Sequence, residues 1–401
     1  MNRILASLTA LAAGSLIAAT SATLSSDTIP SAFSRPPQWR LGVELAPSWV
    51  PPTNSFLKGS NPEEKKIKSS FAGGFRADFS FDPTTREGML YRDLYQGLAV
   101  EANYFSPNSL LGSPVSAYVY QGAPIVRFSD RAWLGYEWQF GAAFGWKHDG
   151  QQKPDNNAAV STSVTAHMGL GVKVHYRLRD RVVLSAGLAA NHYSNGNTSW
   201  PNSGVNSIGA TVGIAYQLNA PNEPAPLPDR NLLDEADRGG WFYDIMVYGG
   251  WRKRVISVGD PAEPQLCPGK FGIVGVQFSP MRSLNRWVAV GPALDLQWDE
   301  SAAIAGYWVQ GTLGDQIKFE RPPFRKQISA GLSAHAELTM PIFSVNAGLG
   351  YNIITPEGDK AFYQSLTLKT FLSRSLYINV GYRLGAFKDP QNLMLGLGVR
   401  I

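Results

Sequence analysis

The sequence predicts an all-β fold, a transmembrane antiparallel β-barrel of about 14–16 strands. Charged residues make up 17% of the 401-residue chain, below the roughly 25% usual in soluble domains, while glycine and aromatic residues are plentiful. Beyond the N-terminal region, no stretch holds the roughly 18 unbroken apolar residues that a membrane-spanning helix needs. Short segments instead alternate apolar with polar or small residues, which is the pattern of barrel strands in a membrane.

Residues 1–22 are typical of a secretory signal peptide. Arg3 supplies the positive charge, residues 4–19 form a short apolar core, and Thr20-Ser21-Ala22 offers the small residues that a signal peptidase needs. We expect cleavage after about Ala22 and export of the mature chain. An uncleaved anchor is the alternative, and the short apolar core argues against it.

Composition also narrows the partners and cofactors. The single cysteine, Cys267, cannot form an internal disulfide, and no Cys/His spacing typical of a metal site is present in the sequence. The net charge of +5 is mild. It fits contact with phosphate-bearing lipid headgroups, but basic residues that simply flank a membrane explain it as well. We therefore expect no metal, no cofactor and no nucleic-acid partner.

Sixteen segments alternate with a period of two and are predicted strands. They lie near residues 39–50, 69–81, 94–105, 114–128, 132–147, 162–177, 181–194 and 205–218, and then near 240–251, 269–279, 285–298, 326–339, 341–352, 362–372, 375–385 and 391–401. Residues 164–174 show the pattern best, since even positions are apolar and odd positions are polar or glycine. Such a strand presents its apolar side to lipid and its polar side to the barrel interior.

Connector lengths indicate how the strands run through the membrane. Bacterial barrels have short periplasmic turns, longer outer loops and an even number of strands. If the first strand runs outward, long connections such as 51–68, 252–268 and 299–325 lie outside, and short turns such as 129–131 lie in the periplasm. The connection at 82–93 is longer than this rule predicts.

Residues 219–239 are rich first in proline and then in acidic residues, and we predict a periplasmic linker there. The linker separates two halves, residues 39–218 and 240–401. We prefer one wide barrel built from both halves, because a second closed barrel would need its own complete seam. An eight-stranded barrel followed by a second β domain is the alternative.

A polar cluster interrupts the otherwise apolar outer face of the predicted hairpin 181–218. Residues two apart on a strand point to the same side, so His192 and Ser194 continue the apolar row that begins at Val182. Opposed residues in an antiparallel hairpin have a constant index sum. Pairing Ser194 with Gly204 gives 398, and 192 + 206 is also 398, so Asn206 is predicted to lie opposite His192.

These residue types suit nucleophilic catalysis. A neutral histidine can take the proton of a serine hydroxyl near pH 7, so His192 is the candidate base and Ser194 the candidate nucleophile. The side-chain oxygen of Asn206 can fix the imidazole tautomer, without the negative charge that a carboxylate would offer. The turn at Asn195-Gly196 is the candidate oxyanion hole, because glycine lets backbone N–H groups point at a developing charge.

The other histidines give a contrast. By alternation, His167, His175 and His335 face the barrel interior, and His148 lies in a loop. Only His192 falls on the lipid-facing side, where a polar cluster is costly without a purpose. We therefore expect an activity on a lipid rather than on a dissolved substrate.

The segment His192-Tyr-Ser-Asn-Gly-Asn-x-x-x-Pro-Asn-x-Gly204 resembles the signature of the outer-membrane lipid A 3-O-deacylases of the PagL type, and of a longer branch labelled acyloxyacyl hydrolase. Four further stretches look similar to that longer branch: residues 44–59, 136–146, 321–325 and 388–396. The resemblance therefore extends over most of the mature chain.

The resemblance implies an outer-membrane serine hydrolase that removes the ester-linked acyl chain at the 3-position of lipid A in lipopolysaccharide. It assigns Ser194 as nucleophile, His192 as base, and the backbone around Asn195 and Gly196 as oxyanion hole. The family's acid falls at Asn206, where this chain departs from the pattern. Shorter members have an eight-stranded barrel, so the second half has no counterpart in them. The alternative is a non-enzymatic outer-membrane barrel, a porin or a structural protein, with a relic motif.

Overall fold

The computed structural model of this protein describes residues 35–148, 158–219, 240–258, 263–309, 318–387 and 389–401. The predicted signal peptide and all but the first residue of the predicted linker lie outside these ranges. Within them, no helix is long and apolar enough to cross a membrane. The chain divides into two compact units, with a barrel in each.

In the first unit, eight antiparallel strands close into a barrel. The strands are β1 (Gln38–Trp49), β2 (Ser69–Ser80), β3 (Tyr95–Ser106), β4 (Val115–Arg127), β5 (Ala132–Phe144), β6 (Val164–Arg179), β7 (Val182–Ser194) and β8 (Val205–Gln217). Each strand pairs with the next, and β8 pairs back to β1. Three short helices lie in the connections: α1 (Ser55–Lys58), α2 (Arg86–Leu90) and α3 (Asn108–Leu111).

The second unit holds another closed barrel of eight antiparallel strands. They are β9 (Trp241–Arg252), β12 (Phe271–Ser283), β13 (Val288–Asp299), β14 (Ile328–Thr339), β15 (Phe343–Ile354), β16 (Phe362–Phe371), β17 (Leu376–Gly385) and β18 (Asp389–Arg400), and β18 closes on β9. A separate hairpin consists of β10 (Val255–Val258) and β11 (Glu263–Leu266). Two 3₁₀ turns, Ile304–Gly306 and Phe324–Lys326, follow β13.

The predicted class, an all-β antiparallel barrel, is confirmed, and each of the sixteen predicted strands matches a barrel strand to within a few residues. The preference for one wide barrel is wrong, and the alternative of an eight-stranded barrel followed by a second β structure is observed. The physical reason lies in the seams. β8 pairs with β1 along most of its length, and the second half of β18, residues 395–400, pairs with β9. Because each barrel closes on itself, neither has an open sheet edge with unpaired backbone groups. A second barrel therefore exposes no such groups to lipid.

The two faces of the barrel walls follow the predicted alternation. Outward side chains such as Leu170, Leu188 and Val212 are 63%, 67% and 57% exposed, and a hydrocarbon layer would cover them. Inward side chains are buried, including the predicted interior histidines His167 and His175. The wall is therefore apolar outside and polar inside, as a membrane barrel requires.

Charged side chains fill the interior of the first barrel. Arg76 and Lys173 each bridge Glu44 and Glu137, with N–O distances of 2.5, 2.6, 2.7 and 2.9 Å. We call these four residues the first charge ring. None of their side chains is more than 9% exposed. Such charges are stable away from water only when each has a close partner of opposite sign.

The second barrel contains a similar group of one lysine, one arginine and two carboxylates. Lys369 and Arg400 each bridge Asp244 and Glu337, with N–O distances of 2.6, 2.6, 2.8 and 2.6 Å. We call these residues the second charge ring. Eight-stranded barrels are just wide enough for their interiors to be filled by side chains. Both barrel interiors are therefore packed with paired charges.

Candidate active site

The candidate site lies at the loop end of the β7–β8 hairpin. In the strand register, His192 pairs with Asn206, which confirms the pairing predicted from the index sum. Along β7 the even-numbered Leu184 and Leu188 are exposed, whereas Tyr193 is buried inside the barrel. His192 and Ser194 belong to the outward, even-numbered row, which is the side predicted to face lipid.

The imidazole of His192 is held in one orientation by Asn206. Its Nδ1 lies 2.7 Å from Oδ1 of Asn206. Because a side-chain carbonyl oxygen only accepts hydrogen bonds, Nδ1 carries the hydrogen and donates it. The other ring nitrogen, Nε2, is then left with a free lone pair. This is the tautomer that a general base needs.

Ser194 is the last residue of β7 and is half-buried. On its other side it pairs with Ala166 of β6. Among the described residues, no hydrogen bond joins its hydroxyl to His192. The structure thus brings His192 and Asn206 together and places Ser194 on the same face, two residues along. Hydrogen bonds of this kind often tighten only when substrate is bound.

In the turn after Ser194, the two predicted oxyanion donors, the backbone N–H groups of Asn195 and Gly196, differ in their hydrogen bonds. Gly196 and Asn197 have φ angles of 62° and 63°, and the N–H of Thr198 donates to the carbonyl of Asn195 at 3.2 Å. The backbone N–H of Asn195 donates to Oδ1 of Asn202 at 2.9 Å. In the described part of the chain, the N–H of Gly196 has no such acceptor. Gly196 is therefore the better placed donor for an oxyanion.

Sequence reasoning missed Asn202 as a residue of this site. Its amide crosses the loop and fixes the backbone next to Ser194. Asn202 lies in the Pro-Asn part of the signature motif, which was the only available signal. The cross-loop contact itself depends on loop conformation and cannot be read from strand alternation.

An apolar cap closes the barrel below the site. It is a cluster of buried side chains from three connections and the adjoining strand ends: Val50, Phe56, Leu57, Ile67, Phe105, Leu110, Leu111, Ala143, Trp146, Ala159, Val160, Tyr193 and Val205. Tyr193 lies between His192 and Ser194, and Val205 precedes Asn206, so the inner side of the hairpin is anchored in the cap. The hydroxyl of Tyr193 also donates to Oδ1 of Asn103 at 3.1 Å.

The second barrel holds similar groups on the opposite side of its wall. Nδ1 of His335 lies 2.6 Å from Oδ1 of Asn346, and its Nε2 lies 2.8 Å from the hydroxyl of Ser333. That hydroxyl is also 2.5 Å from Asp295. All four side chains are buried in the barrel interior, as predicted for His335. A serine–histidine contact inside a filled barrel has no route to a lipid.

Across the described ranges, no group of three or more His, Cys, Asp or Glu residues could hold a metal ion. The predicted loop residue His148 lies outside the strands, where its Nε2 is 3.1 Å from the hydroxyl of Ser163.

Two closed antiparallel barrels with apolar outer walls define a β-barrel membrane protein. The sequence model described as lipid A 3-O-deacylase (PagL) matches residues 71–215, within the first barrel unit. The model described as acyloxyacyl hydrolase, C-terminal domain, matches residues 241–401, the second barrel. The chain therefore belongs to the PagL lipid A 3-O-deacylase and acyloxyacyl hydrolase family. Membership assigns it to outer-membrane lipid A deacylases, which are ester hydrolases.

Other comparisons add little. No curated protein sequence matches the chain. Among solved structures, the siderophore receptor PirA from Acinetobacter baumannii is 9% identical, covers 86% of this chain and 68% of its own, and has a TM-score of 0.21. A mutant of the Rh. blastica porin is 6% identical, with 90% and 99% coverage and a TM-score of 0.16. These TM-scores are too low to carry an argument.

Proposed function

We propose that this chain is an outer-membrane serine esterase that hydrolyses an ester-linked acyl chain of lipid A, with Ser194 as nucleophile and His192 as base. One observation carries the proposal. On the apolar outer wall, Nδ1 of His192 is held 2.7 Å from Oδ1 of Asn206, beside Ser194 in the same outward row. Polar groups that face hydrocarbon are costly and are usually kept for function.

The proposed reaction begins with proton transfer from the hydroxyl of Ser194 to Nε2 of His192. The serine oxygen attacks the ester carbonyl, and the resulting oxyanion accepts a hydrogen bond from the N–H of Gly196. When the intermediate collapses, the bond between the acyl carbon and the sugar oxygen breaks, and His192 returns the proton to that oxygen of the departing alcohol. Water, activated in the same way, then releases the fatty acid from Ser194.

The position of the site favours a lipid substrate. The outward neighbours of His192 along the two strands are Ala190 on β7 and Ile208 on β8, and both are exposed on the wall. An acyl chain could lie along this wall while its ester reaches Ser194 at the loop end. The loop end faces the outer leaflet if residues 1–22 direct export and residues 219–239 form a periplasmic linker, which we include in the proposal.

A non-enzymatic barrel is the second candidate, and Asn206 is the observation that favours it. An amide cannot provide the negative charge that stabilises imidazolium, so the motif could be a relic. A porin is less well supported than a closed structural barrel, because both charge rings fill the interiors.

The proposal is tested by mass spectrometry of lipid A from cells with and without the gene. We expect cells that express the protein to accumulate lipid A lacking one ester-linked acyl chain, and cells without it to keep the full set. Planar bilayer conductance of the purified protein is measured in parallel, and we expect none above background. Identical acyl patterns even under overexpression, with or without conductance, would remove the esterase proposal.

Replacing Asn206 with aspartate is expected to raise kcat/KM about tenfold, or about 1.4 kcal/mol of transition-state stabilisation. Aspartate keeps the geometry of the 2.7 Å contact and adds the missing charge. The gain is smaller than the roughly 10⁴-fold effect of the reverse change in trypsin-like enzymes, where the amide fixes the wrong tautomer. Initial rates on purified lipid A in mixed micelles measure it, with Asn206→Leu as the matched variant that accepts no hydrogen bond. A rate no higher than that of the unchanged protein would contradict this reasoning.

A further inference from the structure

The loop after β1 touches the candidate catalytic hairpin. Nδ2 of Asn54 donates to the carbonyl oxygen of Gly204 at 3.1 Å, across 150 residues of sequence. Oδ1 of the same side chain accepts the N–H of Leu57 at 3.0 Å and so caps α1. Asn54 is only 8% exposed. One buried amide therefore joins the loop to the hairpin through its donor and holds its own helix through its acceptor.

Gly204 lies directly against the imidazole of His192. Its φ angle is +73°, which favours glycine. A Cβ added there would lie 2.9 Å from Cε1 of His192 and 3.0 Å from the carbonyl oxygen of Tyr193. The N–H of Gly204 donates to the carbonyl of Ala159 at 3.0 Å. Hydrogen bonds therefore hold both the N–H and the carbonyl of Gly204, and the residue lies against the imidazole ring of His192.

The loop that carries Asn54 is itself firmly packed. Phe56 and Leu57 are 2% and 0% exposed and belong to the same apolar cap as Tyr193. Asn61 stabilises the loop from within, because its Nδ2 donates to the carbonyls of Phe56 and Lys65 at 2.8 and 2.7 Å. Phe56 and Leu57 follow Asn54 closely in the chain, so the position of Asn54 against the hairpin depends on their packing in the cap rather than on the Asn61 contacts.

We propose that Asn54 is a positioning residue for His192, acting through the Gly204 carbonyl. The inference rests on the proposed function, since it assumes that His192 is the base. Asn54 lies outside residues 71–215, the part matched by the deacylase model. It also lies in the stretch 44–59 that the sequence analysis singled out. The contact with Gly204 gives that stretch a role at the site.

Asn54→Asp separates the two contacts of this side chain. Aspartate retains an oxygen that accepts from Leu57, so the helix cap persists. Aspartate lacks the N–H donor, and its second carboxylate oxygen faces the carbonyl oxygen of Gly204. The two oxygens repel each other. Asn54→Ser is the second variant, because its hydroxyl also caps the helix but is too short to reach Gly204. Asn61→Asp is the matched control, since it removes donors inside the loop without touching the hairpin.

We expect Asn54→Asp and Asn54→Ser to lower kcat on purified lipid A about tenfold with little change in KM, because a small displacement of a base slows the chemical step. Asn61→Asp should leave kcat unchanged even if it lowers the unfolding midpoint. Barrel folding is followed by heat-modifiable mobility in gel electrophoresis. Equal loss of kcat in the Asn54 and Asn61 variants would overturn the inference, and so would an unchanged kcat in both Asn54 variants.

A second readout does not need activity. In protein with ¹⁵N-labelled histidine, the Nδ1–H signal of His192 is assigned by its loss in His192→Gln. We expect this signal to shift in Asn54→Asp and to stay in place in Asn61→Asp. If the unchanged protein hydrolyses no lipid A but the shift occurs, the proposed function fails and the positioning role stands. If the protein is active and the signal does not move, the positioning role fails alone.

Discussion

Replacing Ser194 with alanine is expected to lower kcat/KM on lipid A by about 10³- to 10⁶-fold, as in other serine hydrolases that lose their nucleophile. The barrel should remain folded, because Ser194 is half-buried at a strand end and, within the described part of the chain, its hydroxyl makes no hydrogen bond to His192. The measurement is release of fatty acid from purified lipid A by protein refolded in detergent. Residual hydrolysis would come from substrate binding and the oxyanion donor alone.

The second barrel provides a matched control for this experiment. Ser333 lies 2.8 Å from Nε2 of a histidine whose Nδ1 meets an asparagine, so its local chemistry resembles that proposed for Ser194. It is buried in the barrel interior, however, and cannot meet a lipid. Ser333→Ala should therefore leave the rate unchanged. Loss of activity in Ser333→Ala with full activity in Ser194→Ala would reverse the assignment of the site.

Local features of the fold were predictable from the sequence because strand alternation is a local property. In residues 164–174 the alternation alone fixes which side chains face lipid. The index sum of 398 needed only the positions of two adjacent strands and a short loop. The facing of the side chains and the pairing of His192 with Asn206 both follow from local strand geometry that does not depend on the rest of the chain.

The number of barrels was not predictable in the same way. Pairing Arg40 with Gln217, as the first seam does, joins strands far apart in sequence, and their alternation looks the same whichever edges meet. The hairpin of β10 and β11 lies within a connection that was predicted only as an outer loop. Closure depends on the tilt and stagger of all eight strands together, which a single strand does not encode.

Side-chain contacts across loops were also beyond the sequence. The roles of His192, Ser194 and Asn206 follow from residue type and register, and they remain predictions. The contacts of Asn202 with Asn195 and of Asn54 with Gly204 depend on how long loops fold over the barrel mouth. Loop conformation follows from the packing of the apolar cap as a whole, so no short motif specifies it.

The charge rings lead to the largest expected effects on stability. Lys173→Met keeps the length of the side chain but leaves Glu44 and Glu137 with one cation between them. Lys369→Met does the same to Asp244 and Glu337 in the second barrel. Breaking a buried ion pair by removing one partner costs about 3–5 kcal/mol. We expect each variant to lower the free energy of unfolding of its own barrel by that amount.

Unfolding by urea in lipid vesicles, followed by tryptophan fluorescence and gel mobility, measures this loss. Lys65→Met is the control, because Lys65 pairs with Glu63 at 3.1 Å on an exposed loop and its side chain is 65% exposed. Exposed ion pairs contribute little, so this variant should unfold at the same urea concentration as the unchanged protein. The double variant Lys173→Met/Glu137→Gln should recover part of the stability, because it leaves a single carboxylate, Glu44, for the remaining Arg76. If both ring variants unfold like Lys65→Met, water reaches the ring carboxylates and the barrel interiors are not sealed by paired charges.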